Sequence, residues 1–118
     1  MTGMPSIPPQ LQEQLLRLQQ LQQTLQVVAS QRQQLELERS EVNRALSELE
    51  KMTDDSIIYK TIGSLLIKSE RKKIIDELRE KRELTETRIT VLTRQQTRAE
   101  ERVKELQQII QEKLKTPS

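Results

Sequence analysis

The stretch SIIYKTIGSLLIKS, Ser56 to Ser69, decides how this chain folds. From Gln10 to Thr116 there is no proline and one glycine, Gly63, which lies inside the stretch together with Tyr59, the only aromatic residue. IIYKT and LLIKS flank Ile62-Gly63-Ser64. Their β-branched and aromatic side chains suit a pleated surface. Gly-Ser in a two-residue turn fits type II′, whose first central position requires positive φ. That turn pairs Ile62 with Leu65, Thr61 with Leu66, Lys60 with Ile67 and Tyr59 with Lys68. Ile58, Ile62, Leu65 and Ile67 then share one face.

On either side the chain reads as helix. IPPQ opens the first, because proline is tolerated in the first turn. Leu18, Leu21, Leu25, Val28, Leu35, Val42, Leu46 and Leu49 follow steps of three and four residues, with Arg32 and Arg39 filling the remaining seam positions. This is a heptad seam. Leu11 and Leu15 precede it, and the two three-residue steps at Leu15, Leu18 and Leu21 interrupt the rhythm. The second helix begins near Ser69, an expected N-cap. Its seam runs Ile75, Leu78, Arg82, Thr85, Ile89, Leu92, Gln96, Ala99, Val103, Leu106, Ile110. Facing residues of an antiparallel pair have numbers of constant sum. Leu49 with Ile75, Leu46 with Leu78, Leu35 with Ile89, Val28 with Gln96, Leu25 with Ala99, Leu21 with Val103 and Leu18 with Leu106 all give 124. The sum is expected to slip to 125 for Leu15 with Ile110 and Leu11 with Leu114. The arginines are expected to cover the seam with their stems while their heads reach water, the alternative being polar layers that fix register at a cost in stability. Eleven glutamines between Gln10 and Gln34 read as a solvated helical face.

Composition agrees with a helix pair rather than a globule. The 118 residues suggest one domain, yet only 33% are hydrophobic, 32% are charged, and Trp and Phe are absent. A compact core needs more bulk, whereas a coiled coil needs only a narrow stripe. The absence of Cys and His excludes disulfides, thiol catalysis and Cys/His zinc sites, and removes the usual general base. No glycine-rich phosphate loop occurs. Neither an enzyme nor a cofactor is therefore expected. No run of eighteen apolar residues is present, so no membrane span is expected, and MTGMPSIPPQ lacks the pattern of a secretory signal. A soluble, intracellular protein is the expectation. Net charge is +2 from interspersed residues, and the one basic cluster, Arg71-Lys72-Lys73, follows Glu70 and precedes Asp76 and Glu77. That is a solvated helix surface rather than a nucleic-acid site.

The expected fold is mainly α: an antiparallel two-helix coiled-coil hairpin with a short β-hairpin at the connection. Residues 1–9 form a disordered start, 10–53 the first helix, 54–69 the β-hairpin, 70–115 the second helix and 116–118 a tail. A lone two-stranded hairpin is marginal in water, and its edges leave N–H and C=O groups unpaired. Helices cannot satisfy those edges, but other copies of the hairpin can. Ile58, Tyr59, Ile62, Gly63, Leu65 and Ile67 thus form an assembly module, expected to join copies into a closed or nearly closed oligomeric sheet.

A long helix, IIYKTIGSLLIKSE and a second long helix together resemble the β-type subunit of prefoldin. The most specific part is Tyr-Lys-x-Ile-Gly-x-x-Leu-Ile-Lys at Tyr59 to Lys68, and the likeness covers nearly the whole chain. One hairpin's worth of β sequence is similar to the β-type, since the α-type connector carries two. The resemblance implies a hexamer of two α and four β subunits, with a double β-barrel body and six coiled-coil tentacles. It also implies an ATP-independent chaperone that holds non-native proteins at the tentacle tips and passes them to a group II chaperonin in the cytosol. Apolar residues near the tips are the candidate client contacts: Ile7, Leu11, Leu15, Leu16 and Leu18 on the first helix, with Leu106, Ile109, Ile110 and Leu114 on the second. Leu16 and Ile109 lie off the seam and are the stronger candidates. The rival reading is a structural coiled-coil spacer or adaptor with one defined partner, against which the β-hairpin argues, since a spacer needs only a short turn.

Overall fold

The computed structural model describes residues 7–115; residues 1–6 of the expected irregular start and the expected tail, 116–118, lie outside the described residues. The order of elements is α1 (Pro9–Glu50), β1 (Ile58–Ile62), β2 (Leu65–Ser69) and α2 (Arg71–Lys115). The chain is mainly helical, with two long helices joined through a short antiparallel β-hairpin. Its contacts divide it into two compact units. One holds residues 32–91 and the other the residues up to 31 with those from 92 onward.

The helix ends follow from local chemistry. The Gln12 amide donates to the Pro8 carbonyl at 3.0 Å, so Pro8 is the N-cap and Pro9 the first helical residue. Proline loses nothing there, because that N–H has no intrahelical acceptor. At the other end the amides of Lys51 and Met52 reach back only three residues, to Glu48 and Leu49. This tightening closes α1 at Glu50, three residues before the expected 53. Thr53 and Ser56 then close a turn: the Ser56 amide donates to the Thr53 carbonyl at 3.0 Å, and the Thr53 amide to Ser56 Oγ at 3.1 Å. In α2 the first helical bond runs from the Ile74 amide to the Glu70 carbonyl, which makes Glu70 the cap residue. Ser69, the expected N-cap, is instead the last residue of β2, paired with Ile58.

In the 32–91 unit, Val42, Leu46, Leu49 and Ile75 form a buried cluster, with Ile58, Ile74 and Leu78 packed against it. Ile89 and Thr85 are also buried, Thr85 to 3% exposure. Arg32, Leu35, Arg39 and Arg82 are half-buried at the remaining seam positions. The antiparallel register shows in polar links across the seam: Arg82 donates to Asn43 Oδ1 at 3.4 Å, and Lys81 lies 3.4 Å from Glu38. Arg32 Nε donates to Glu36 at 3.0 Å along its own helix. No fully buried side-chain nitrogen or oxygen among the described residues lacks a hydrogen-bond partner.

In the other unit, Leu11, Val28, Val103, Leu106 and Ile110 are buried. Here the expected break in rhythm is corrected. Gln14 is half-buried while Leu15 is 38% exposed, so the three-four spacing runs through Leu11, Gln14, Leu18 and Leu21 without interruption. The expected pairs Leu15 with Ile110 and Leu11 with Leu114 each have one member outside the seam, since Leu114 is 68% exposed. Gln14 instead receives a hydrogen bond from Lys113 Nζ at 3.1 Å. Geometry wins over hydropathy: a leucine one residue out of frame is rotated about 100° away from the partner helix.

Candidate assembly and client surfaces

The β-hairpin is built around one turn. Ile62 pairs with Leu65, Thr61 with Leu66, Lys60 with Ile67, Tyr59 with Lys68 and Ile58 with Ser69. The first four of these pairs are the expected ones. Gly63 has φ of 58°, and no non-glycine residue among those described has positive φ. Type I′ would need positive φ at Ser64 as well, so the turn is type II′. A Cβ on Gly63 would meet nothing within 4 Å, so only backbone conformation demands glycine there.

The turn also fixes what the edges offer. Ile62 and Leu65 close a two-residue loop and are a hydrogen-bonded pair, so pairs alternate from there outward. Tyr59 and Thr61 on β1, and Leu66 and Lys68 on β2, fall at the non-hydrogen-bonded positions. Their N–H and C=O groups point away from the partner strand, and each edge can accept a further strand there. The same four side chains share one face of the sheet. The opposite face carries Ile58, Lys60, Ile62, Leu65, Ile67 and Ser69.

Both faces expose apolar side chains. On one, Ile62, Leu65 and Ile67 are exposed; on the other, Tyr59 and Leu66, the latter to 70%. Ile57, just before β1, is 68% exposed. Ile58 differs from the other assembly candidates, because it is half-buried against the core of its own helices. Leu66 and Ile57 are missing from the set read from sequence. Leu66 has the wrong parity for a single apolar face, and Ile57 precedes the strand. A second apolar position was visible in the run SLLIKS, where Leu65 and Leu66 are adjacent and must point to opposite sides.

Ion pairs tie this sheet to the helix ends. Lys60 Nζ donates to Glu77 Oε2 at 2.7 Å. That hydrogen bond, with the charges of Lys60 and Lys73, holds the Glu77 carboxyl below its ordinary value of 4.5 against a smaller opposing effect of desolvation. Arg71 Nε donates to the Leu49 carbonyl at 2.8 Å and its NH1 to Asp54 Oδ1 at 3.0 Å, with Lys72 Nζ 3.7 Å from the same carboxylate. The Leu49 carbonyl is in the last turn of α1, where a cationic donor joins the Met52 amide on the same acceptor and complements the helix dipole. Arg71, the first residue of the basic cluster, therefore fastens the start of α2 to the end of α1, while Lys72 and Lys73 are exposed as expected. Contacts across seventeen and twenty-two residues leave no periodic trace in the sequence.

The client candidates separate into three groups. Leu11, Leu106 and Ile110 are buried, Leu106 to 2%. Leu18 and Ile109 are half-buried. Ile7, Leu15, Leu16 and Leu114 are exposed. Pro8, Gln10, Leu11, Ile109, Glu112, Lys113 and Leu114 line an open groove of about 600 Å³. Ile109 also lines a smaller one beside Gln10, Arg17 and Arg102. A groove lined by Pro8, Leu11, Ile109 and Leu114 together with polar residues can accept apolar side chains of varied shape.

Residues 12–116 match the sequence profile of the family described as Prefoldin subunit. The chain belongs to the prefoldin family. Prefoldin subunit beta of Pyrococcus furiosus is 44% identical to it over 115 residues, 98% of each chain. That of Thermococcus gammatolerans is 46% identical over 114 residues, 97% of each. The crystal structure of the prefoldin beta subunit from Thermococcus strain KS-1 superposes with a TM-score of 0.86 at 43% identity, covering 97% of this chain and 100% of that one. The prefoldin beta2 subunit of the same strain, at 23% identity and a TM-score of 0.70, shares the fold. Within the family this chain groups with the β-type subunits, as the Tyr59–Lys68 pattern and single β-hairpin led one to expect. As a prefoldin subunit the chain is a chaperone component. No described helix is long and apolar enough to cross a membrane, and no described group of His, Cys, Asp or Glu is arranged to hold a metal ion.

Proposed function

We propose that this chain is the β-type subunit of an ATP-independent holdase, assembled with an α-type subunit as two α and four β chains in the cytoplasm. The β-hairpins join edge to edge into the barrel body. The helix ends remote in sequence from them hold non-native proteins and hand these to a group II chaperonin. The observation that carries this reading is the β-hairpin itself: two strands, both edges open and both faces exposing apolar residues, held on a helix pair that cannot cover them. Exposed apolar surface of this density marks an association site. Client holding rests on the exposed Leu16 and the groove at Ile109.

The test mixes the chain with a β-partnering α-type subunit, follows assembly by sedimentation, and titrates the complex into a heat-denatured client watched by light scattering. Wild-type complex should suppress scattering without ATP. Leu16→Ser with Ile109→Ser should weaken protection several-fold at unchanged oligomer size, since each buried apolar side chain contributes roughly 1.5–3 kcal/mol and contacts repeat across copies. Equal protection by both complexes would place client binding elsewhere.

A further inference from the structure

The two faces of the β-hairpin meet the rest of the chain differently. Ile58 and Lys60 lie on the same face of β1, two residues apart, and both engage α2. Ile58 packs against the cluster of Val42, Leu46, Leu49 and Ile75, against which Ile74 and Leu78 of α2 also pack, while Lys60 bonds Glu77 at 2.7 Å. Ile74, Glu77 and Leu78 are neighbours on one helical face, so the Lys60 contact falls beside the apolar cluster that receives Ile58. Beyond Lys60 this face has no further anchor, and Ile62 is already half exposed at 50%.

We propose that the Lys60–Glu77 pair is a positioning contact for assembly, fixing which face and which edges of the β-hairpin are presented to neighbouring copies. The proposal rests on the reading of the β-hairpin as an assembly element. Ile58 and the direct link from Ser69 into α2 hold only the base of the two-stranded sheet, about which it can pivot. A second contact, roughly 7 Å further along the strand, removes that freedom. It holds the Lys60 face toward α2 and turns the Tyr59, Thr61, Leu66, Lys68 face outward.

Such a pair does little for folding. Lys60 and Glu77 side chains are 43% and 38% exposed, and exposed ion pairs contribute little to stability. Orientation matters far more to a ring of hairpins, because every copy must be aligned at once. If losing the pair lowers the aligned fraction about threefold per copy, four copies together lose roughly 80-fold. The contact would thus be nearly silent in the isolated chain and strong in the assembly.

Charge reversal separates positioning from ordinary stability. Lys60→Glu, Glu77→Lys and the double exchange are each mixed with an α-type subunit and followed by sedimentation velocity. Either single reversal should lower complex formation at least tenfold while helix content and the unfolding midpoint of the free chain stay unchanged. The double exchange should recover most of it, short of full recovery because Lys73, one turn earlier on α2, opposes a second lysine. Tyr59, the sole aromatic residue, gives an independent readout in the chain alone. Its fluorescence anisotropy should fall in the single variants and return in the exchange. Wild-type assembly and anisotropy in all single variants, or an exchange that recovers neither, would overturn the assignment. A wild-type chain that never assembles would overturn the assembly reading beneath it, while the anisotropy would still report whether the pair orients the sheet.

Discussion

Replacing Gly63 by valine tests whether the β-hairpin must be formed for copies to associate. The residue has φ of 58° and open space where a side chain would go. Valine therefore makes no clash with a neighbour; its cost is backbone strain alone. An L-residue held in the left-handed region costs roughly 1–2 kcal/mol, and β-branching adds to this. In a large core such a cost would be absorbed. A two-stranded sheet is marginal by itself, so the same cost lowers the formed fraction by about 5–30-fold, and the deficit recurs in every copy.

The control keeps the loop length and changes only the turn chemistry. Gly63→Asn with Ser64→Gly supplies Asn-Gly, the preferred type I′ pair, which also joins two strands in the same register. Sedimentation with an α-type subunit should show Gly63→Val defective in assembly and the Asn-Gly variant close to wild type. Circular dichroism should show intact helices in both, because the helix seam lies outside the turn. Normal assembly of Gly63→Val would refute the requirement for a formed hairpin. Equal failure of both variants would show that the glycine acts through something other than φ.

Three further outcomes follow from named contacts. Cysteines replacing Leu35 and Ile89 should bridge within one chain on oxidation, whereas Leu35→Cys with Leu78→Cys should not, because a disulfide needs Cα atoms within about 7 Å; bridging only between chains would overturn the intrachain helix pairing. Arg71→Ala removes a charged donor to the Leu49 carbonyl from a side chain only 19% exposed, and should lower stability by about 1–2 kcal/mol, discounting the exposed Asp54 contact; an unchanged unfolding midpoint would deny it that role. Glu77 titrates below 4.5 in the folded chain, so its contribution is present above 4.5 and lost as pH falls through the lower folded value; its NMR titration midpoint should rise toward 4.5 in Lys60→Met, and no movement would mean the 2.7 Å bond does not persist in solution.

The sequence carried the β-hairpin register because two local rules agreed: alternation on each strand, and a Gly-Ser turn that admits only one pairing. It carried the helices because heptad spacing is a periodic signal. It misplaced Leu15 because hydropathy alone put a leucine in the seam, whereas the helix holds its frame and places Gln14 there. Ser69 looked like a cap but was claimed by the strand ladder, which needs its backbone. The contacts of Arg71 and of Lys60 with Glu77 were beyond reach. They depend on where the connector brings the strands, and neither composition nor period encodes that path. Leu66 was within reach, but looking for one apolar face hid the second.

Where the apolar residues stand bears on why the chain would need partners at all. Of fifteen exposed large apolar residues among those described, seven lie between Met52 and Ile67. The helices meanwhile use Arg32, Arg39, Arg82, Thr85 and Gln96 at seam positions where apolar residues would bind more tightly. A chain under pressure only to fold alone would do the reverse, placing leucines in the seam and polar residues on the sheet. Polar seam positions fix register at some cost in helix pairing. Apolar residues on an open sheet are costly until other strands and faces cover them. Both departures favour the assembled state over the isolated chain. Replacing Arg39 by leucine should therefore stabilise the free helix pair without improving assembly, whereas Leu66→Ser should leave the free chain intact and weaken assembly.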